Sequence, residues 1–293
     1  MKKRTGVVRR SSVAGGAGHR GTRPVQDFEE GEVSRAILDA YHAKFARALT
    51  SDVVIVGAGP SGLVSAWRIS RAGYRTVVLE KRLSPGGGIW GGSLGMNEVV
   101  VQAGASGVLR EAGVSCRTRG RLCTVDALEL ASALCLQALR SGAIILNLMS
   151  AEDLCIHLGR TAGVVANRTL LCESLPIDPI TFSARAVIDA TGHEAVMASC
   201  LQKRGLLKSA GGRLPGEGPM DAPAGERFVV DHVTELYPGL WTTGMSVCAS
   251  LGGPRMGPIF GGMLLSGERV AVSVERALGK PGLGGEGVPG KAS

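Results

Sequence analysis

A chain of 293 residues, 44% hydrophobic and poor in aromatics, can bury a sizeable core as two small domains or one elaborated α/β domain. No run of 18 or more uninterrupted apolar residues exists, which excludes a membrane-spanning helix of the usual kind. The net charge of +8 is concentrated: residues 1–27 carry seven Lys and Arg against Asp27 alone, a tail of +6, so a nucleic-acid partner has little support from the rest of the chain.

That tail is rich in Ser, Gly and Arg, lacks the apolar stretch of a secretory signal, and reads as a disordered basic extension over 1–27. The seven cysteines are scattered, odd in number and never spaced C-x-x-C. This argues against a disulfide framework or a zinc knuckle and for the reducing cytoplasm. Residues 32–49 place Val33, Ile37, Tyr41, Phe45 and Leu49 four apart, one apolar helix stripe expected to pack on the edge of a sheet.

Residues 51–81, SDVVIVGAGPSGLVSAWRISRAGYRTVVLEK, organise everything that follows. The run 52–56 is apolar and β-branched, a buried parallel strand. Gly57, Gly59 and Gly62 then fit G-x-G-x-x-G, residues 63–72 continue as helix, and a second strand over 75–79 ends on Glu80. Gly57 permits the tight turn, Gly59 lets backbone approach a pyrophosphate, and Gly62 lets helix and strand pack closely. The helix N-terminus offers free N–H groups to phosphates, and Glu80 can accept from a ribose diol. The motif points to an adenine dinucleotide.

The loop LSPGGGIWGGSLGMN follows, too glycine-rich to be ordered cheaply unless backbone must approach a ligand, with Ile89 and Trp90 reading as buried within it. Strands are expected at 98–102, 143–148, 151–157, 163–167, 186–190, 228–233 and 240–243. Helices are expected at 105–112, at 126–141 with Asp126 as N-cap, and within 257–278. Residues 209–225 read as a Gly/Pro loop and 279–293 as a disordered Gly/Pro-rich tail, leaving 28–278 as a single dinucleotide-binding α/β domain. The fold expected is a Rossmann-like dinucleotide-binding fold with an inserted smaller β-rich region.

ATGH at 190–193 and YPGLWTTGM at 237–245 resemble the later fingerprints of two-dinucleotide-binding-domain flavoproteins. In that pattern the last strand ends Gly-Asp; here Gly244 precedes Met245, which weighs against bound FAD. Together, GAGPSG, EKR, PGGGIWGG, IDPIT, DATGH, YPGLWTTGM and PRMGPIFGGMLLSG resemble the ADP-thiazole synthase family of thiamine biosynthesis, closest in layout to its archaeal and bacterial sulfide-dependent members. The resemblance runs from about residue 32 to 278.

The resemblance implies that NAD is consumed as a substrate: nicotinamide leaves, the ADP-ribose opens and isomerises, glycine condenses with it, and sulfur closes a thiazole. It implies that Ser61, Glu80, Lys81 and Gly88 contact NAD, with Ala151 near the adenine and Met245 near a ribose. Arg255 would hold the glycine carboxylate, a role suited to a two-pronged guanidinium. Asp178 and His193 match the positions that bind Fe(II), contributed there by neighbouring subunits, so a closed homo-oligomer, an octamer by resemblance, is implied. From spacing alone His193 would read as a satisfied histidine at a strand end. Where the family carries Cys as sulfur donor, or His, this chain has Pro176, so that position cannot donate sulfur; Cys172 lies four residues earlier. The alternatives are an FAD-dependent oxidoreductase of the same fold, or a non-catalytic protein holding NAD-derived ligands.

Overall fold

The computed structural model describes residues 27–170, 177–208 and 210–281. Most of both tails, with Cys172 and Pro176, lies outside the described residues. Two compact units are present, one ending at Tyr41 and one beginning at His42. The first contains the start of α1 (Glu30–Ala48), whose first turn carries Glu30 and Glu32 at the positive end of the helix dipole. Val33 and Ile37, two of the five stripe residues, are exposed. Burial begins further on: Phe45 meets Phe182 edge-on at 5.6 Å between ring centres, and Ala48 is fully buried.

The second unit opens with β1 (Thr50–Val56), α2 (Pro60–Arg71) and β2 (Thr76–Glu80), the expected strand–helix–strand unit. β3 (Glu98–Gln102), α3 (Ser106–Ala112), β4 (Arg117–Arg119) and β5 (Leu122–Asp126) follow, with β3, β5 and β4 forming a small antiparallel sheet. Next come α4 (Ala127–Arg140), capped by Asp126 accepting from Glu129 N, then β6 (Ile144–Asn147), β7 (Met149–His157), β8 (Arg160–Arg168) and β9 (Ile180–Asp189). The chain ends through α5 (Val196–Lys203), β10 (Gly218–Met220), α6 (Ala222–Asp231), β11 (Thr234–Tyr237), β12 (Leu240–Thr242), α7 (Met245–Leu251), β13 (Pro254–Arg255) and α8 (Gly261–Leu278).

Five strands run parallel in the order β12-β9-β1-β2-β6. β11 adds antiparallel to β12, and the first half of β9 extends into an antiparallel ribbon with β8 and β7. β1 sits at the centre, with Ile55 opposite both Val78 and Ile188. Its side chains alternate between two cores. Val53 and Ile55 pack with Leu63, Trp67, Leu130 and Val274 on one face. Val54 and Val56 pack with Leu146, Phe182, Met197 and Leu240 on the other. Burial on both faces explains why β1 reads as an unbroken apolar run.

Three expectations fail here. Residues 228–233 were expected as a strand, yet most of them lie in α6. Asp221 accepts from Ala224 N at 3.0 Å and Pro223 occupies the first turn, so a capped helix start outweighs the β-branched Val229-Val230 pair. The same helix and β10 occupy part of the supposed loop 209–225. Trp90, expected to be buried, is 37% exposed, although its neighbour Ile89 is fully covered. Among the described residues no helix is long and apolar enough to cross a membrane.

Candidate functional site

At the C-terminal ends of β1, β2 and β9 the sheet opens into a cavity of about 910 Å³. This is where ligands bind in open parallel sheets. One wall is the turn between β1 and α2. Gly57 has φ +99°, and a Cβ there would come within 2.5 Å of Ala190 O. A Cβ on Gly62 would come within 2.0 Å of Gly57 O, so Gly62 is buried packing and does not itself line the cavity. Gly59 does line it, and nothing would obstruct a Cβ there within 4 Å, which leaves this stretch of backbone open to a ligand. Gly57 and Gly62 thus have the steric constraint expected of them.

Ser61, Glu80, Lys81, Gly88, Ala151, His193, Met245 and Arg255 also line this cavity. Glu80 is 5% exposed, and its two oxygens accept from Ala58 N and Arg82 N, each at 2.8 Å. A carboxylate has further lone pairs, so it can tie the glycine turn to β2 and still accept from a diol. The glycine-rich loop descends onto that turn: Gly86 N donates to Ala58 O at 2.7 Å, and a Cβ on Gly87 would meet Gly59 Cα at 2.9 Å. Lys81 Nζ is 2.7 Å from Glu194 across the cavity.

His193 stands in a short turn, Gly192–Glu194, directly after β9. The turn is held by Asp189, a fully buried carboxylate missed in the sequence reading. Asp189 accepts from Thr191 N and Oγ1, Ser246 Oγ, Met197 N and Ala198 N, at 2.7–3.1 Å. It therefore caps α5 and fixes the His193 turn together. His193 Nδ1 lies 2.5 Å from Glu217 Oε1, and Arg255 Nε lies 3.3 Å from Glu217 Oε2. Glu217 was also missed. Its signal was present: it is the one acid among residues 209–220, a stretch otherwise of small, apolar and basic residues.

Asp178 is exposed and does not line the cavity of its own chain. Among the described residues no three His, Cys, Asp or Glu side chains gather as a metal site. None of the described cysteines lines the cavity either. Burial pushes the Cys200 and Cys248 thiols up to about 11, which leaves both protonated at neutral pH.

The fold and this cavity define an α/β protein of the Rossmann-like dinucleotide-binding fold class, with a charged cluster on the cavity wall. The pattern of the Thi4 family matches residues 34–260, and the chain belongs to that family. It is 47% identical over 255 residues to the thiamine thiazole synthase of Thermococcus kodakarensis, covering 86% of this chain and 100% of that protein. It is 45% identical over 247 residues to the thiamine thiazole synthase of Thermotoga maritima, covering 84% and 97%. The crystal structure of Thermovibrio ammonificans THI4 superposes with a TM-score of 0.81 at 39% identity, covering 86% of this chain and 99% of that one.

Proposed function

We propose that this chain is a thiamine thiazole synthase that converts NAD, glycine and sulfide to an ADP-thiazole carboxylate and releases nicotinamide. The observation that carries this reading is the meeting, in one cavity, of a dinucleotide turn with His193 and Arg255, which sit far apart in sequence. The 57–62 turn and the start of α2 hold the pyrophosphate, and Glu80 holds the adenosine ribose diol. Arg255 presents its terminal nitrogens to the glycine carboxylate. Met245 and Phe260, both largely buried, add apolar surface to the cavity wall.

Fe(II) suits an imidazole and a carboxylate, and His193 in the cavity with Asp178 of a neighbouring subunit would be its ligands in a homo-oligomer. When bound, the metal supplies a Lewis acid with free positions for sulfide. Pro176, standing where the family's sulfur-donating cysteine would be, supports sulfide from solution over a thiol sacrificed at that position. The Gly244–Met245 ending favours NAD as substrate over FAD as cofactor.

The test is anaerobic incubation of the purified protein with Fe(II), NAD, glycine and sulfide, followed by mass analysis of the small molecules. ADP-thiazole carboxylate in excess over protein is the expected result. Nicotinamide release with a glycine adduct but no thiazole would remove the sulfide step, and an untouched NAD pool would contradict the whole reading.

A further inference from the structure

We propose that Glu217 is the positioning residue of this site: one carboxylate that sets the imidazole of His193 and the guanidinium of Arg255 against each other. The inference rests on the thiazole-synthase reading above and adds to it a residue that orients both reactive side chains. The segment that follows Glu217 is held by backbone. Glu217 immediately precedes β10, which pairs with β13, placing Gly218 opposite Pro254 and Met220 opposite Arg255. Gly218 N donates to Gly253 O at 2.9 Å, and Asp221 N donates to Arg255 O at 3.0 Å.

The burial pattern gives the direction of control. The Glu217 side chain is only 11% exposed, whereas those of His193 and Arg255 are 59% and 61% exposed. The carboxylate is the fixed member, and the two longer side chains are held by it. A carboxylate can only accept, so the contact at 2.5 Å puts a proton on His193 Nδ1, and in the neutral imidazole the Nε2 lone pair is then free. That is the form in which an imidazole binds a metal, with its other nitrogen donating to a carboxylate. The second oxygen takes Arg255 Nε at 3.3 Å and leaves the two terminal nitrogens for an incoming carboxylate.

Glu217→Gln keeps the size of the side chain but has only one oxygen, so it cannot accept from both partners. We expect it to weaken Fe(II) binding, read by anaerobic titration, by about 10–100-fold. The KM for glycine should rise about 10-fold, while NAD affinity and the urea unfolding midpoint stay close to those of the unaltered protein. In an Arg255→Ala background the same change should add nothing further to the glycine KM, because the residue acts through Arg255. Fe(II) affinity and glycine KM equal to those of the unaltered protein would overturn the assignment, as would a drop in the unfolding midpoint with both parameters intact. If the unaltered protein itself binds no Fe(II) and uses no glycine, the thiazole-synthase reading falls and this inference falls with it.

Discussion

The two ends of the cavity are built by different means. The dinucleotide end is backbone: a glycine turn pressed against Ala190, a helix start, and Glu80 bonded to Ala58 N and Arg82 N. The reacting end is side chains: His193, Glu217 and Arg255 arrive from three separate segments, and two of the three are more than half exposed. Binding a common cofactor shape needs a rigid surface, and packing supplies it. Chemistry on a small substrate needs a few groups at fixed angles, and hydrogen-bonded carboxylates supply those. Asp189 connects the two ends, since it is buried in the sheet and holds the His193 turn.

That connection gives the largest expected effect. Asp189→Ala leaves five donors without their acceptor and should cost about 4 kcal/mol of unfolding free energy, read by urea denaturation. A small loss would mean that the two ends are independent. Gly62→Ala attacks the dinucleotide end alone. Its Cβ would press on Gly57 O, so stability should fall by about 3 kcal/mol and NAD affinity with it.

Substitutions at the reacting end should spare the fold. Arg255→Ala should raise the glycine KM by about 30-fold, a cost near 2 kcal/mol, with NAD binding retained. Equal losses for both substrates would assign Arg255 to structure. His193→Ala should abolish stoichiometric Fe(II) in a metal assay, and unchanged metal content would remove it from the ligand set. The smallest effect belongs to Lys81→Ala, whose half-exposed pair with Glu194 contributes at most about 0.5 kcal/mol to stability. Its consequence should be a weaker grip on NAD, seen by calorimetry.

The same division explains what the sequence made legible. The turn, helix and acid after β1 are local, so they could be read within 30 residues, and the structure puts Gly57, Gly59 and Glu80 on the cavity wall and Gly62 in the packing behind it. The thiazole-synthase resemblance brought His193 and Arg255 to notice, and the fold puts both on the cavity wall. The roles of Asp189 and Glu217 were not legible, although Glu217 stands out as the one acid of its stretch. Their roles depend on partners up to 57 residues away, which no spacing rule connects. Residues 228–233 show the converse limit: an aromatic and β-branched cluster resembles a strand, but the Asp221 cap and Pro223 upstream decide for helix. The extent of β9, ten residues long, escaped because its first six residues vary in burial while only the last four are continuously buried.

The central claim is that one cavity seats the dinucleotide and delivers its reacting end to the His193–Glu217–Arg255 cluster. The most direct measurement is an experimental structure of the protein with ADP-ribose bound. The account predicts the pyrophosphate against the 57–62 turn, the adenosine diol at Glu80, and the distal ribose beside His193 and Arg255. A pyrophosphate bound elsewhere, or a distal ribose turned away from those two side chains, would contradict it.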